Sequence, residues 1–221
     1  MGFYVGLDLG QSADYTALAV IEYVQERNPK KGDRFEECLH LRHLERYPLR
    51  TPYPEQADRV SRLMRSKELI SETRFPWDPI VYQRAPELVV DATGVGKAVT
   101  DMLKERNLWF KAVTITGGDV AKYSGRGRSA SVPKRDLVAA LEVPFHSGTL
   151  KVAEGLELWP ALREELLTFR RKINLKTAHD SYEHWRESDH DDLVLATALA
   201  CWWAKRKRDI PGSVPAKLKG W

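Results

Sequence analysis

Apolar side chains recur along this chain in two rhythms. Residues 3–9 (FYVGLDL) and 16–24 (TALAVIEYV) are short runs rich in Val, Ile, Leu and Tyr, and they predict two strands. The connection GQSADY between them carries turn chemistry. Residues 25–34 are polar and contain Pro29 and Gly32, so they predict a hairpin loop into a third strand over 35–46. The opening is therefore expected to be a three-stranded antiparallel meander.

The second rhythm is helical. Residues 54–66 open on Pro and good helix formers and predict a helix. A loop is expected around Pro76, Pro79 and Pro86. Leu88, Val89 and Val90 form a continuous apolar run, as in a strand buried on both faces, and it ends at Asp91. After Gly94 and Gly96, the residues Val95, Ala98, Val99, Met102 and Leu103 fall on one helical stripe. Residues 109–116 predict a further strand, so this half reads as a βαβ unit. Residues 117–131 are expected to be a long Gly- and Ser-rich loop, 133–142 and 157–169 helices, and 170–187 a hairpin. Residues 192–204 (DLVLATALACWWA) are apolar almost all round and predict a central core helix.

Composition narrows the class. The 221 residues are 43% hydrophobic with a net charge of +4, too apolar and too weakly charged for a disordered chain. No apolar run reaches the roughly 18 residues of a membrane span, and no signal peptide is visible. Cys38 and Cys201 are too few and too isolated for a disulfide framework or a zinc site. The charge is uneven. Residues 205–221 hold six Lys and Arg against Asp209 alone, so residues 1–204 form a nearly neutral body and 205–221 a basic tail. The tail suits phosphate binding or simple solvation.

Chemistry concentrates in acidic residues at the ends of elements. Asp8 interrupts an apolar strand, Asp91 closes another, and Asp191 and Asp192 open the apolar helix just after His190. Each alone has an ordinary structural use as a turn or helix-cap residue. Brought together, such carboxylates would repel unless cations lay between them. Hard oxygen ligands suit Mg²⁺ or Mn²⁺, and two such ions form the clamp used to cleave phosphodiesters. Asp191 and Asp192 point about 100° apart on a helix, so one is expected to ligate metal while the other supports or caps. Asp14 is an accessory ligand or a turn residue, and His190 orients a ligand, touches the scissile phosphate or lies on the surface. The segment GVGKA is not a Walker A loop, because Ala98 stands where Ser or Thr is required.

The runs VGLDLGQSADYTALAV, LVVDATGVG and HDDLVLATALA, in this order, resemble the nuclease domain of phage large terminases. The resemblance spans residues 1 to about 204. It implies an RNase H-like (retroviral integrase-like) α/β fold, with a central mixed β-sheet of an antiparallel meander followed by parallel strands, flanked by helices. It implies an endonuclease that cleaves double-stranded viral DNA during genome packaging with two divalent ions, Mg²⁺ or Mn²⁺. Asp8 would bridge both ions, Asp91 would be the second ligand, and Asp191 or Asp192 the third. The implied partners are DNA, a packaging ATPase domain, the small terminase and the portal, with no membrane, in the host cell cytoplasm. Lacking a Walker A motif, the chain is expected to be the nuclease half without its ATPase.

Basic residues expected to touch DNA phosphates are Lys122, Arg126 and Arg128 in the 117–131 loop and Arg170, Arg171 and Lys172 in the expected hairpin. Three other readings remain open. A Holliday-junction resolvase shares fold and metals. VGLDLGQS also resembles the first phosphate motif of actin-like ATPases and sugar kinases, although no DxGGGT-type second motif is present. A packaging-motor docking module with vestigial acids needs no chemistry.

Overall fold

In the computed structural model, residues 2–10, 14–29, 32–93, 97–125, 128–175 and 191–206 are described. The chain opens with β1 (Gly2–Asp8), β2 (Ala17–Asn28) and β3 (Arg34–Arg46), paired antiparallel in sequence as the alternation predicts. Helix α1 (Tyr53–Met64) follows. Next come a single 3-10 turn and the two-stranded hairpin β4 (Ser71–Phe75) and β5 (Asp78–Arg84). This hairpin replaces the loop expected from the prolines. A two-stranded sheet leaves outward N–H positions unused, so Pro79 is tolerated within β5.

Strand β6 (Glu87–Asp91), helix α2 (Lys97–Glu105) and strand β7 (Phe110–Thr116) build the expected βαβ unit. The 117–131 segment is not one long loop. It contains β8 (Lys122–Ser124) and the start of β9 (Ser129–Pro133), which adds parallel to β7. Within β8 and β9 only Ala130, Val132 and Pro133 are buried, so the apolar signal was too short to stand out against the Gly and Ser around it. Helix α3 (Lys134–Ser147), the short strand β10 (Leu150–Val152), α4 (Trp159–Leu175) and α5 (Asp192–Arg206) complete the chain. Helix α4 takes in residues 170–175 of the expected hairpin, so Arg170, Arg171 and Lys172 lie on its last turns, and residues 176–187 lie outside the described residues. Helix α3 stops at Gly148, whose φ of 71° is the left-handed conformation that glycine accepts without strain. Among the described residues, no helix is long and apolar enough to cross a membrane.

The strands form one eight-stranded sheet in the order β10-β3-β2-β1-β6-β7-β9-β8. Strands β1, β6, β7 and β9 run parallel, so their last residues share one end of the sheet, here termed the carboxyl end. Alternation assigns the two faces. Val5, Leu7, Leu88 and Val90 pack with α1 and α2 residues such as Val60 and Leu103. Tyr4, Ala19, Val89 and Val113 pack with α3, α4 and α5 on the other face. Helix α5 is buried over nearly its whole length, as its all-round apolar sequence predicts.

Candidate metal and nuclease site

The placement of the acids follows from strand parity. Asp8 lies two and four residues beyond Gly6 and Tyr4, so it shares the face that α5 covers. Asp91 stands two residues beyond Val89 and shares the same face. Leu7 pairs with Val90 in parallel register, so Asp8 and Asp91 come at neighbouring positions on adjacent strands, both at the carboxyl end. Each sits where a strand leaves the sheet, the usual place for ligand binding in an α/β fold.

The direction of α5 brings the third acid to the same end. Ala17 pairs with Asp8 on one side and Arg46 on the other. Arg46 lies 3.4 Å from Asp192, so the first turn of α5 stands over this end. At the helix's other extremity, the indole N–H of Trp203 donates to Glu87, the first residue of β6, at 2.8 Å. Helix α5 therefore runs antiparallel to β1 and β6. It is seated by Gly6: a Cβ there would overlap the Ala196 carbonyl oxygen and reach Ala200 N at 3.0 Å. The lack of a side chain at Gly6 lets the helix backbone rest directly on β1, one turn above Asp192.

Two residues that the sequence reading passed over hold this corner. Glu165 of α4 is buried and accepts hydrogen bonds from the backbone N–H groups of Leu193 (3.0 Å) and Val194 (3.2 Å). A carboxylate there complements both the unpaired amides and the dipole of the helix start. So an acid from another helix takes part of the capping role that sequence alone offers to Asp191 and Asp192. Arg46 pairs with Glu165 as well as Asp192, and its guanidinium lies 5.0 Å from the Tyr15 ring. No local motif links Arg46 to Glu165, so only the fold could reveal the pair.

Burial pushes the Glu165 carboxyl up to about 7, against the pull of Arg46 and the Val194 N–H; the Asp192 charge adds to the rise. The folded protein thus holds this proton to a higher pH than the unfolded chain, whose value is near 4.5. The stabilisation is complete below 4.5 and is lost as pH rises through 7. In EDTA, the melting temperature is expected to fall between pH 5 and pH 8, and Glu165→Gln is expected to flatten that part of the profile. An unchanged slope in the variant would assign the titration to another group.

The segment after Asp8 is pinned to α1. Gly10 N–H donates to Thr16 Oγ1 (3.0 Å), Thr16 Oγ1 donates to the buried Gln56 (2.9 Å), and Tyr53 donates to the Gly10 carbonyl (3.2 Å). Beside it opens a cleft of about 420 Å³ lined by Gly10, Asp14, Thr16, Arg50, Tyr53 and Gln56. Asp14 is exposed on this cleft. Asp91 Oδ1 accepts the Thr93 N–H at 2.7 Å, and Thr93 Oγ1 accepts the Ile115 N–H at 2.7 Å, which fixes the turn leaving β6.

Asp8, Asp91 and the Asp191–Asp192 pair offer hard oxygen donors of the type that Mg²⁺ or Mn²⁺ takes. They come from three elements and one end of the sheet. Among the described residues, no three acidic, His or Cys side chains are close enough to hold an ion together. The donor type and the shared end of the sheet are what fit such an ion. Asp191 is half-buried at the rim, and its carbonyl accepts the Leu195 N–H at 2.9 Å. Asp192 is buried against Arg46.

The predicted basic contacts do not form one group. Arg170, Arg171 and Lys172 are on α4, beyond Glu165. Lys122 is on β8, and Arg128 precedes β9 at the opposite, amino end of the sheet. His190, Arg126 and residues 207–221 lie outside the described residues.

No protein-family model matches this chain, and no curated relative matches it significantly. Solved structures do. The large terminase nuclease from thermophilic phage G20c aligns over 90% of this chain and 80% of its own, with 18% identity and a TM-score of 0.52. The same nuclease with bound zinc aligns over 90% of this chain and 79% of its own, with 18% identity and a TM-score of 0.47. The human cytomegalovirus terminase nuclease domain, soaked with Mn, covers 98% of this chain and 87% of its own, with 11% identity and a TM-score of 0.47. The likeness to the phage enzyme at a TM-score of 0.52 establishes the fold: a mixed α/β sheet flanked by helices, as in terminase nucleases.

Proposed function

We propose that this protein is a divalent-metal-dependent endonuclease that cuts double-stranded DNA during viral genome packaging. The observation that supports this reading is that Asp8, Asp91 and the Asp191–Asp192 pair all stand at the carboxyl end of the sheet, on strands β1 and β6 and at the start of α5. A bound pair of Mg²⁺ or Mn²⁺ ions would supply Lewis acidity and a water of lowered pKa. Asp8 and Asp91 would hold that charge from the sheet. Asp191, at the open rim, would complete the ligand set, whereas Asp192 works through its ion pair with Arg46 and positions the start of α5. Asp14 is an accessory donor from the adjoining cleft.

Helix α4 connects the site to substrate. At a rise of about 1.5 Å per residue, Arg170 to Lys172 follow Glu165 by roughly 8–10 Å along the helix axis. In this reading they contact backbone phosphates flanking the cut, and such contacts position without reading sequence. His190, next to Asp191 in the chain, orients a ligand or the phosphate. The small terminase, portal and packaging ATPase are the partners of this reading.

The test is cleavage of supercoiled plasmid. Nicked and linear products are expected with Mg²⁺ or Mn²⁺ and none in EDTA. Cleavage that persists in EDTA would exclude the mechanism, and a preference for four-way junctions over linear duplex would favour a resolvase.

A further inference from the structure

The amino end of the sheet, remote from the acids, carries a second concentration of charge and aromatic surface. Lys111, near the start of β7, places its ammonium 4.4 Å from the Trp203 ring and 6.0 Å from the Tyr123 ring. The Arg206 guanidinium, at the last turn of α5, lies 5.0 Å from the Tyr123 ring. The Arg128 guanidinium, just before β9, lies 4.3 Å from the Trp109 ring, just before β7. Energetically significant cation–aromatic pairs occur about once per 70–80 residues, so this is a dense cluster.

Its members share a face as well as an end. Lys111 has the parity of Val113, and Tyr123 is paired with Ala130, both in the core under α5. Strand β6 runs four residue steps from Glu87 to Asp91, so the two ends are separated by roughly 13 Å at ~3.3 Å per step. This surface is therefore distinct from the candidate active site.

The rings are presented to solvent. Trp109 is 72% exposed and Tyr123 is 40% exposed. Among the described residues, neither Arg128 nor Arg206 has a carboxylate within 4 Å. Helix α5 ends here with Lys205 and Arg206 in its last turn. Positive charge thus accumulates beside accessible aromatic faces. Uncompensated cations attract a phosphate backbone, and open rings stack on unpaired bases. An acidic protein would satisfy the cations but leave Trp109 and Tyr123 without a matching surface.

We infer that the amino end of the sheet is a single-stranded nucleic-acid-binding surface, in which Trp109 and Tyr123 stack bases while the exposed Arg128 and Arg206 hold phosphates and the buried Lys111 supports the rings from beneath. It goes beyond the nuclease reading and does not depend on it. The test uses fluorescence anisotropy of labelled dT12 and rU12 with the full chain in EDTA, where metal-dependent cleavage cannot contribute. Tighter binding of dT12 assigns DNA and tighter binding of rU12 assigns RNA; either supports the surface.

Trp109→Ala and Arg128→Ala are each expected to weaken binding about tenfold. Arg128→Ala should also flatten the dependence of log K on log salt by about 0.7, whereas Trp109→Ala should leave that slope unchanged. Both positions are exposed, so melting temperatures should match the parent protein. Undiminished binding by Trp109→Ala, an equal loss of 12-base-pair duplex binding in that variant, or equal competition by polyglutamate would overturn the inference. The last outcome would reassign the surface to an acidic protein. Failure of these arms leaves plasmid cleavage untouched, and failure of cleavage leaves these arms untouched.

Discussion

Gly6→Ala is expected to lower stability by more than about 3 kcal/mol, at the upper end of the overpacking range. In a chain of this size that corresponds to a melting temperature about 6–12 °C lower. The added methyl would meet the Ala196 carbonyl oxygen, the Ala196 carbonyl carbon and Ala200 N, all atoms of the α5 backbone. No side-chain rotation relieves a backbone clash, so the whole helix must lift from β1. Buried contacts of Leu193, Ala196 and Leu199 would be disturbed together. The first turn of α5 would also leave Arg46 and Glu165, so metal affinity should fall in the fraction that remains folded. Urea denaturation monitored by circular dichroism measures the loss. Gly118→Ala is the control: its nearest neighbour would be Thr116 Oγ1 at 3.6 Å, and a change within about 0.5 kcal/mol is expected. Equal stability of the two variants would show that α5 does not rest on Gly6.

The second large effect separates function from stability. Asp8→Asn and Asp91→Asn are each expected to slow cleavage by about 10²–10³, the scale of removing one preorganised charge-stabilising group. Their stability should be unchanged or higher, because each substitution relieves like-charge repulsion at the carboxyl end. Asp191→Asn should behave in the same way, since its carboxylate is at the accessible rim. Asp192→Asn should retain much more activity, because its neighbour is Arg46. Initial rates with Mn²⁺, read beside melting curves, decide the matter. Full activity of Asp8→Asn would defeat the nuclease proposal. An inactive Asp192→Asn with an active Asp191→Asn would exchange the roles of the two aspartates and leave the rest standing.

Much of this architecture was legible because it is written in local patterns. The meander, the βαβ unit and the core helix follow from apolar periodicity in β1, β2, β6 and α5. Periodicity failed where an element was short or polar. β8 and β9 were hidden by the glycines of residues 117–131, β4 and β5 by three prolines, and the last turns of α4 by their polar residues. Asp8, Asp91, Asp191 and Asp192 could be singled out because each charge interrupts or borders an apolar run.

Convergence was a different matter. That Asp8 and Asp91 are neighbours depends on β1 pairing with β6 in one register, and a slip of one residue would turn one of them to the other face. The sequence by itself determined the element types, the core face of each strand and helix, and which acids sit at element ends, because these depend on neighbours a few residues away. Only the tertiary structure decided that α5 lies antiparallel on Gly6, that Glu165 and Arg46 hold its first turn, and that Arg128 stands at the end of the sheet remote from the acids. Those facts depend on pairings between residues far apart in the chain, which no local periodicity encodes.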